Sequence, residues 1–401
     1  MKPYRLCILG SNSGNNAGDA AILSSIVHNF LARSPNVAFE VPTTKPSYIR
    51  RSFPGLPVRP VSIMPWTGSL RILGPSTMLS ILRSDAVLIT DAIMFDYALF
   101  NPLYNYLILL AGLIPFAKLC RRRILCFCVG IGPLKTRAGR RIARMVCDFA
   151  DEIMVREEHS RNLLVEIGVP RARLAQLWAD TAFINPPAPL ERGAAILREV
   201  GIEPGEPLLG VNVNPYLDTW VADRPSLRRE EFTAGFARAL DAAIERCGCR
   251  VVFVPTHPMD IVTSEAIRSR MTRRERSVVL SSREITNQEI MAVMGCTSLF
   301  AGMRLHSVIL ASAMHVPIVP LVYAPKVRHL AEMLGIGDTS FEFADFSAER
   351  LTDALVRGWE TREATRARMI PGVEAAKARA RGAFDQVAAR FIARGAGAAA
   401  R

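Results

Sequence analysis

The chain has 401 residues, too long for one ordinary core and the right size for two domains. Half of it is hydrophobic and 22% is charged, which excludes a disordered chain, and a formal charge of +13 favours phosphorylated small molecules, nucleic acid or anionic lipid. Aromatic residues make up only 7%, and neither an RNA-binding nor a zinc-finger signature occurs, so nucleic acid is set aside; a merely solvated basic surface fits the same charge.

The elements alternate in chain order. "YRLCILG" predicts a first strand, running into the glycine-rich loop "GSNSGNNAGDAAIL" with no leader segment before it. "GDAAILSSIVHNFLARS" has apolar residues at helical spacing. "DAVLIT" and "RILCFCVGIG" predict later strands of the same sheet, and Cys126 and Cys128, two apart, are expected to share a face. Between them, residues 103–119, "LYNYLILLAGLIPFAKL", are strongly apolar and are followed by Arg121, Arg122 and Arg123. Asn105 and Pro115 interrupt this segment, and it is short for a membrane span. A buried or interfacial helix is expected, with the arginines open to an anionic inner leaflet. "TRAGRRIARMVCDFA" predicts a basic amphipathic helix, "EIMVR" a short strand and "EEHSRNLLVEIG" a helix closed by Gly168 and Pro170.

The proline-rich residues 185–193, "NPPAPLERG", are the expected linker. A second α/β set follows. "PLLGVNVN", "RVVFVP", "SLFAG" and "PIVPLVY" predict strands; "REEFTAGFARALDAAIERCG" and "PKVRHLAEMLG" predict helices. "TNQEIMAVMG" predicts a helix with Thr286 as N-cap and Glu289 completing a capping box. From residue 371 an alanine- and arginine-rich tail reads as a helix that frays. The division expected is an N-terminal Rossmann-like domain over 1–187, a C-terminal one over 188–370, and a helical tail over 371–401. Eight cysteines follow no framework and no CxxC or HExxH occurs, so free thiols, no metal and a cytoplasmic protein are expected.

Four strand-to-helix junctions carry candidate chemistry, since ligands of parallel sheets bind at the carboxyl ends of strands. The first loop holds Asn16, Gly18 and Asp19; it is neither a Walker loop nor GxGxxG, and a tight turn explains it equally well. Gly132 lies in "CVGIGPL", which also reads as a strand closed by a Gly-Pro turn. His257 and Asp260 follow an apolar strand, where a lone histidine is more often structural or surface-bound than functional. Arg304 and His306 in "GMRLH" would project from one face if the strand continues through them, with a helix beginning near Ser307. Tyr323 and Lys326 occupy the next such junction. Two cations, a histidine and a helix N-terminus suit a small polyanion; an arginine on carbonyls and a core histidine suit the same spacing.

The pieces "NAGDAAIL", "GIGPL", "VREEHSRNLLVEIGV", "WADTAF" and "RLHSVILASAMHVPIVPLVYAPKVRHLAEMLG", in that order, resemble the polysaccharide pyruvyl transferase family. The resemblance implies a two-domain glycosyltransferase-B-like α/β fold with a cleft. It also implies transfer of a pyruvyl group from phosphoenolpyruvate to a sugar or lipid-linked oligosaccharide of a cell-surface or extracellular polysaccharide, forming a ketal and releasing phosphate, with no cofactor. It marks Arg304 and His306 in the R-x-H motif, Lys326 after Tyr323, and Asn16, Gly18 and Asp19 in the first loop. Phosphoenolpyruvate carries two anionic groups, so Arg304, Lys326 and Tyr323 are assigned to the donor. His306 is assigned as the acid that protonates the methylene carbon, and Asp19, with His257 and Asp260 behind it, as the base for the acceptor hydroxyl. Where the family often carries an arginine after "LLGVNV", this chain has Asn214, with Arg224 or Arg228 as substitutes. Two rivals stand beside this reading. A nucleotide-sugar glycosyltransferase shares the fold, but "VYAPKVRH" lacks an acidic ribose-binding pair; the other rival is a non-catalytic binding protein of an envelope pathway.

Overall fold

The computed structural model describes residues 2–63, 74–101, 105–170, 174–215, 229–282, 284–343 and 346–393. Arg224, Arg228 and the first two residues of the 103–119 segment lie outside them. The chain divides into two compact units. The first holds Met1–Gly14, Asp19–Asn185 and Ala376–Arg401; the second holds Asn15–Gly18 and Pro186–Ala375.

The first unit is built on a seven-stranded parallel sheet in the order β3-β2-β1-β4-β5-β6-β7. Its strands are β1 (Tyr4–Leu9), β2 (Val37–Thr43), β3 (Val58–Ser62), β4 (Ala86–Ile89), β5 (Arg123–Val129), β6 (Glu152–Val155) and β7 (Leu174–Leu177). The order reverses between β1 and β4, and at such a switch point the loops part to leave room for a ligand. The 103–119 segment contains the helix Leu107–Leu119, whose Leu107, Leu110, Leu113 and Ile114 are buried in the core under β4 and β5. No helix among the described residues is long and apolar enough to cross a membrane.

One expectation about β5 fails. Ile124 and Cys126 face the core shared with Cys147, but the next residues to do so are Val129 and Ile131. Cys128 adopts a left-handed backbone (φ 49°), and the pairing register of β5 with β6 shifts between Cys126 and Val129. The extra residue changes the phase of the strand, so the two thiols do not share a face. All eight cysteines are free.

The second unit carries a six-stranded parallel sheet, ordered β10-β9-β8-β11-β12-β13. Its strands are β8 (Leu208–Asn212), β9 (Arg250–Phe253), β10 (Ser277–Val279), β11 (Leu299–Gly302), β12 (Ile318–Val322) and β13 (Phe341–Glu342). The order reverses between β8 and β11. The predicted capping box closes the helix Asn287–Gly295: Thr286 accepts from Glu289 N, and the Glu289 carboxylate accepts from Thr286 N.

The proline-rich segment is only partly a connection. Pro189 is the N-cap of a helix, Leu190–Glu199. Gly193 lies so near the backbone of Ala292 that a Cβ would sit 2.5 Å from its carbonyl, so the second half of 185–193 is packed structure. The tail helix begins earlier than composition suggested. It runs Arg362–Val387 with Pro371 inside it, and its residues from Ala376 belong to the first unit. There Phe384 packs edge-on against Phe30 and Phe127, and Arg33 pairs with Asp385.

Candidate active site

In the second unit β11 stops at Gly302, and its neighbour β8 carries the chain past the end of the ladder. Met303 N donates to the Asn212 carbonyl, and Arg304 N donates to Asn212 Oδ1 at 3.1 Å, while Asn212 Nδ2 donates to Val254 O. Arg304 is therefore not a strand residue. It is the extended N-cap of the helix Leu305–Ala313, and its carbonyl accepts from Ser307 N, Val308 N and the Ser307 hydroxyl. This corrects the shared strand face expected for Arg304 and His306. An N-cap side chain and one in the first helical turn diverge, and here they reach different partners.

Arg304 reaches Asp260. Its Nε donates to both carboxylate oxygens at 2.9 and 2.8 Å, and Nη2 donates to Oδ1 at 2.6 Å. Asp260 is fully buried at the third position of the helix Pro258–Arg268, and Oδ2 also accepts from Thr256 N and His257 N. So committed, the carboxylate has no geometry for taking a substrate proton, and Asp260 is a positioning residue for Arg304. His257 caps the same helix, with Nδ1 accepting from Met259 N at 3.1 Å. A neutral His257 thus carries its proton on Nε2, which argues against a base role.

His306 reaches the first loop. Residues 15–18 pack with the second unit: Ala17 N donates to Thr256 O at 2.8 Å, and Gly18 N donates to Asn16 Oδ1. A Cβ on Gly18 would overlap the His306 ring, so glycine there is what admits the imidazole. Five of the predicted residues, Asn16, Gly18, His257, Asp260 and Arg304, are thereby gathered with His306. At the next junction the helix Pro325–Met333 starts without a side-chain cap, and Lys326 Nζ lies 5.8 Å from the centre of the Tyr323 ring. Uncapped helix starts favour anions. Asn214, two residues past the end of β8, is buried, and its N–H points at the Met303 sulfur.

The first unit has its own polar cluster, which sequence reasoning missed. Asp91 follows β4 in a left-handed conformation (φ 62°), and its Oδ2 accepts from Ser11 N across the switch point at 2.7 Å. Its Oδ1 is buried and accepts nothing among the described residues. Arg156 follows β6 and packs its guanidinium over Gly130, where a Cβ would stand 2.8 Å from Nη2. Its Nη1 pairs with Asp180 Oδ2 at 2.6 Å, both side chains being 6% exposed. Asp180 also caps the short helix Thr181–Ile184 through Ala182 N.

Burial, then the charge of Asp19, drive the Asp91 carboxyl well above the usual carboxylate range; the Ser11 N–H and Arg156 oppose them. Burial alone would lower Arg156, but Asp180 and three further carboxyl groups hold it above its ordinary value. Burial and the charge of Asp180 push the Cys128 thiol far up, which removes it as a nucleophile. Asp19 stands in the first turn of the helix Ala17–Arg33. Gly132, expected near the acceptor, makes a turn (φ 101°) whose Cβ position is filled by Leu163. Arg156 and Asp180 were legible only as members of "VREEHSRNLLVEIGV" and "WADTAF". Asp91 had the weaker signal of a polar residue directly after a strand.

Several solved structures share this two-domain glycosyltransferase-B fold at low identity. A putative UDP-N-acetylglucosamine 2-epimerase from Listeria monocytogenes is 13% identical over 96% of this chain and 95% of that one, with a TM-score of 0.60. The HepE protein of Anabaena, solved with UDP and glucose, is 13% identical over 98% and 99%, with a TM-score of 0.57. MnaA of S. aureus, solved with UDP, is 12% identical over 94% and 92%, with a TM-score of 0.62. These likenesses establish the fold alone. No curated protein matches the sequence. The sequence profile of one family does, over residues 16–325, a span that runs from the first-loop Asn16 through Arg156, Asp180, Asp260 and the R-x-H pair to Pro325, and by that match the chain belongs to the polysaccharide pyruvyl transferase family.

Proposed function

We propose that the protein transfers a pyruvyl group from phosphoenolpyruvate to two hydroxyls of one sugar in a cell-surface or extracellular polysaccharide or its lipid-linked precursor. The methylene carbon gains a proton and becomes a methyl group. The central carbon forms two bonds to sugar oxygens and loses its bond to the phosphate oxygen. Of the two hydroxyl protons, one balances the new methyl C–H and the other leaves with phosphate.

The observation that carries this reading is the R-x-H arrangement. Arg304 is locked by Asp260 at the end of β11, and His306 sits in the first turn of the following helix against Gly18. A guanidinium fixed by a carboxylate fork holds its plane, which suits an anionic group of the donor. Lys326, beside Tyr323 at an uncapped helix start, supports the second anionic group. Imidazole titrates near neutrality and can deliver the proton to carbon. Asp19 is assigned to the acceptor hydroxyl, Asp260 being committed to Arg304.

The test is incubation with phosphoenolpyruvate and candidate glycans, followed by phosphorus and carbon NMR. Inorganic phosphate together with a new ketal carbon is expected. UDP in two structures of the same fold is the observation behind a second reading, a nucleotide-sugar glycosyltransferase. Nucleoside diphosphate release from a sugar nucleotide, with phosphoenolpyruvate untouched, would establish that reading instead.

A further inference from the structure

The helix Pro75–Arg83 splits its apolar residues: Ile81 is buried in the core and Met78 packs against it, while its two leucines face outward. Its buried residues are Thr77, Ser80 and Ile81, and Ser84 just beyond it is buried as well. The Ser80 hydroxyl donates to Oε2 of the buried Glu40, and the Ser84 hydroxyl donates to Ser80 O. Its leucines, Leu79 and Leu82, lie three apart on the other face and are each 45% exposed. Folding of the isolated chain gives no reason to bury hydroxyls and display leucines on one nine-residue helix.

The display continues onto the neighbouring turn. Arg122 Nη2 donates to the Leu82 carbonyl at 2.8 Å, which ties the end of this helix to the turn after the helix Leu107–Leu119. Leu119, at that turn, is 82% exposed. Arg83 adjoins Leu82, and Lys118, Arg121 and Arg122 adjoin Leu119 along the chain; among the described residues none of the four pairs with a carboxylate. Arg123, next in line, is neutralised by Asp151.

We propose that this surface docks the protein on a bilayer bearing anionic lipid, with Leu79, Leu82 and Leu119 entering the headgroup boundary and the four cations at phosphate level. Leucines with unneutralised lysine and arginine around them match an interfacial membrane surface. The surface lies at the amino ends of β4 and β5, whereas Asp91 and Gly130 lie at their carboxyl ends, so it can be altered without touching the candidate site. The inference does not rest on the pyruvyl-transfer reading.

The test is flotation of the full chain with phosphatidylcholine vesicles, with and without phosphatidylglycerol, at low and raised salt. Binding is expected only with phosphatidylglycerol and is expected to fall with salt. Leu79→Ser with Leu82→Ser should weaken it at least about tenfold, with thermal unfolding unchanged. Lys118→Gln with Arg83→Gln should weaken it about fivefold per cation removed. Arg270→Gln with Arg274→Gln, exposed in the second unit, should leave it as it was. The proposal is overturned if the wild type ignores anionic vesicles, or if the leucine pair binds like wild type. It is also overturned if the distant arginine pair weakens binding as much as the local one. A leucine variant that changes oligomeric state while keeping vesicle binding would make the face a protein interface instead.

Discussion

The two units each end their parallel sheet in a buried arginine–aspartate pair, and the two pairs are balanced differently. In the second unit Arg304 is forked onto the carboxylate of Asp260, and Asp260 gives its oxygens to Arg304 and to the cap of its own helix. In the first unit Arg156 faces Asp180 but also feels Asp91 and Asp19. One arginine stands against three acids, and the carboxyl of Asp91, whose Oδ1 accepts nothing among the described residues, is held well above the usual carboxylate range by burial and by the charge of Asp19. The same motif is thus one arginine on one committed carboxylate in the second unit, and one arginine shared among several carboxyl groups in the first.

The contrast can be tested by steps of decreasing size. The committed pair matters only if chemistry depends on what it holds, so the first step is catalytic. His306→Ala should lower turnover about 100- to 10,000-fold while leaving the fold and most affinity for phosphoenolpyruvate intact. Arg304→Lys should weaken the donor as well, because the planar fork is lost. Phosphate-release kinetics with an unfolding curve on each variant separate these effects; unchanged turnover in His306→Ala would remove it as the acid.

The second step compares the pairs. Asp260→Ala removes the carboxylate that Arg304 is forked onto and should cost about 3–5 kcal/mol in urea unfolding. Asp180→Asn should cost clearly less, because Glu157, Asp91 and Asp19 still act on the Arg156 charge. Equal losses would show that these further carboxyl groups do not support Arg156.

A third step adds a single carbon. Gly18→Ala would drive a methyl group into the His306 ring. The expected result is about 1–3 kcal/mol of strain or a displaced ring, and lower turnover.

The smallest effect is a pH dependence. A carboxyl raised in the folded state contributes its full stability below its unfolded value, near 4 for aspartate. That contribution is lost as pH rises towards the folded value, above which the profile is flat. Asp91→Asn should abolish this slope. It should match wild type at acid pH and equal or exceed it at neutral pH, with midpoints read from denaturant titrations across pH.

The sequence made much of the fold legible. β1, β4, β5 and β8 were found by their apolar runs, and the Thr286 capping box by its spacing. The elements between residues 34 and 84 were not read, and the helix Pro75–Arg83 shows why at least one of them was hard to read. Its apolar residues point two ways: Ile81 and Met78 to the core, together with buried hydroxyls, and Leu79 and Leu82 outward. In the same way Cys128 looked like a continuation of its strand, because one left-handed residue leaves no mark on composition.

By itself the sequence determined the alternation of strands and helices, the junctions where polar residues cluster, and the ordered motifs that carry the family resemblance. All of these are local or arranged along the chain. Only the tertiary structure decided that Arg304 meets Asp260, 44 residues away, and that the first loop packs beneath His306. It also decided that Asp91 keeps company with Asp19, Arg156 and Asp180. Burial sets those outcomes. A charge taken from water must find its opposite wherever the fold brings one, and that partner obeys no spacing in the sequence.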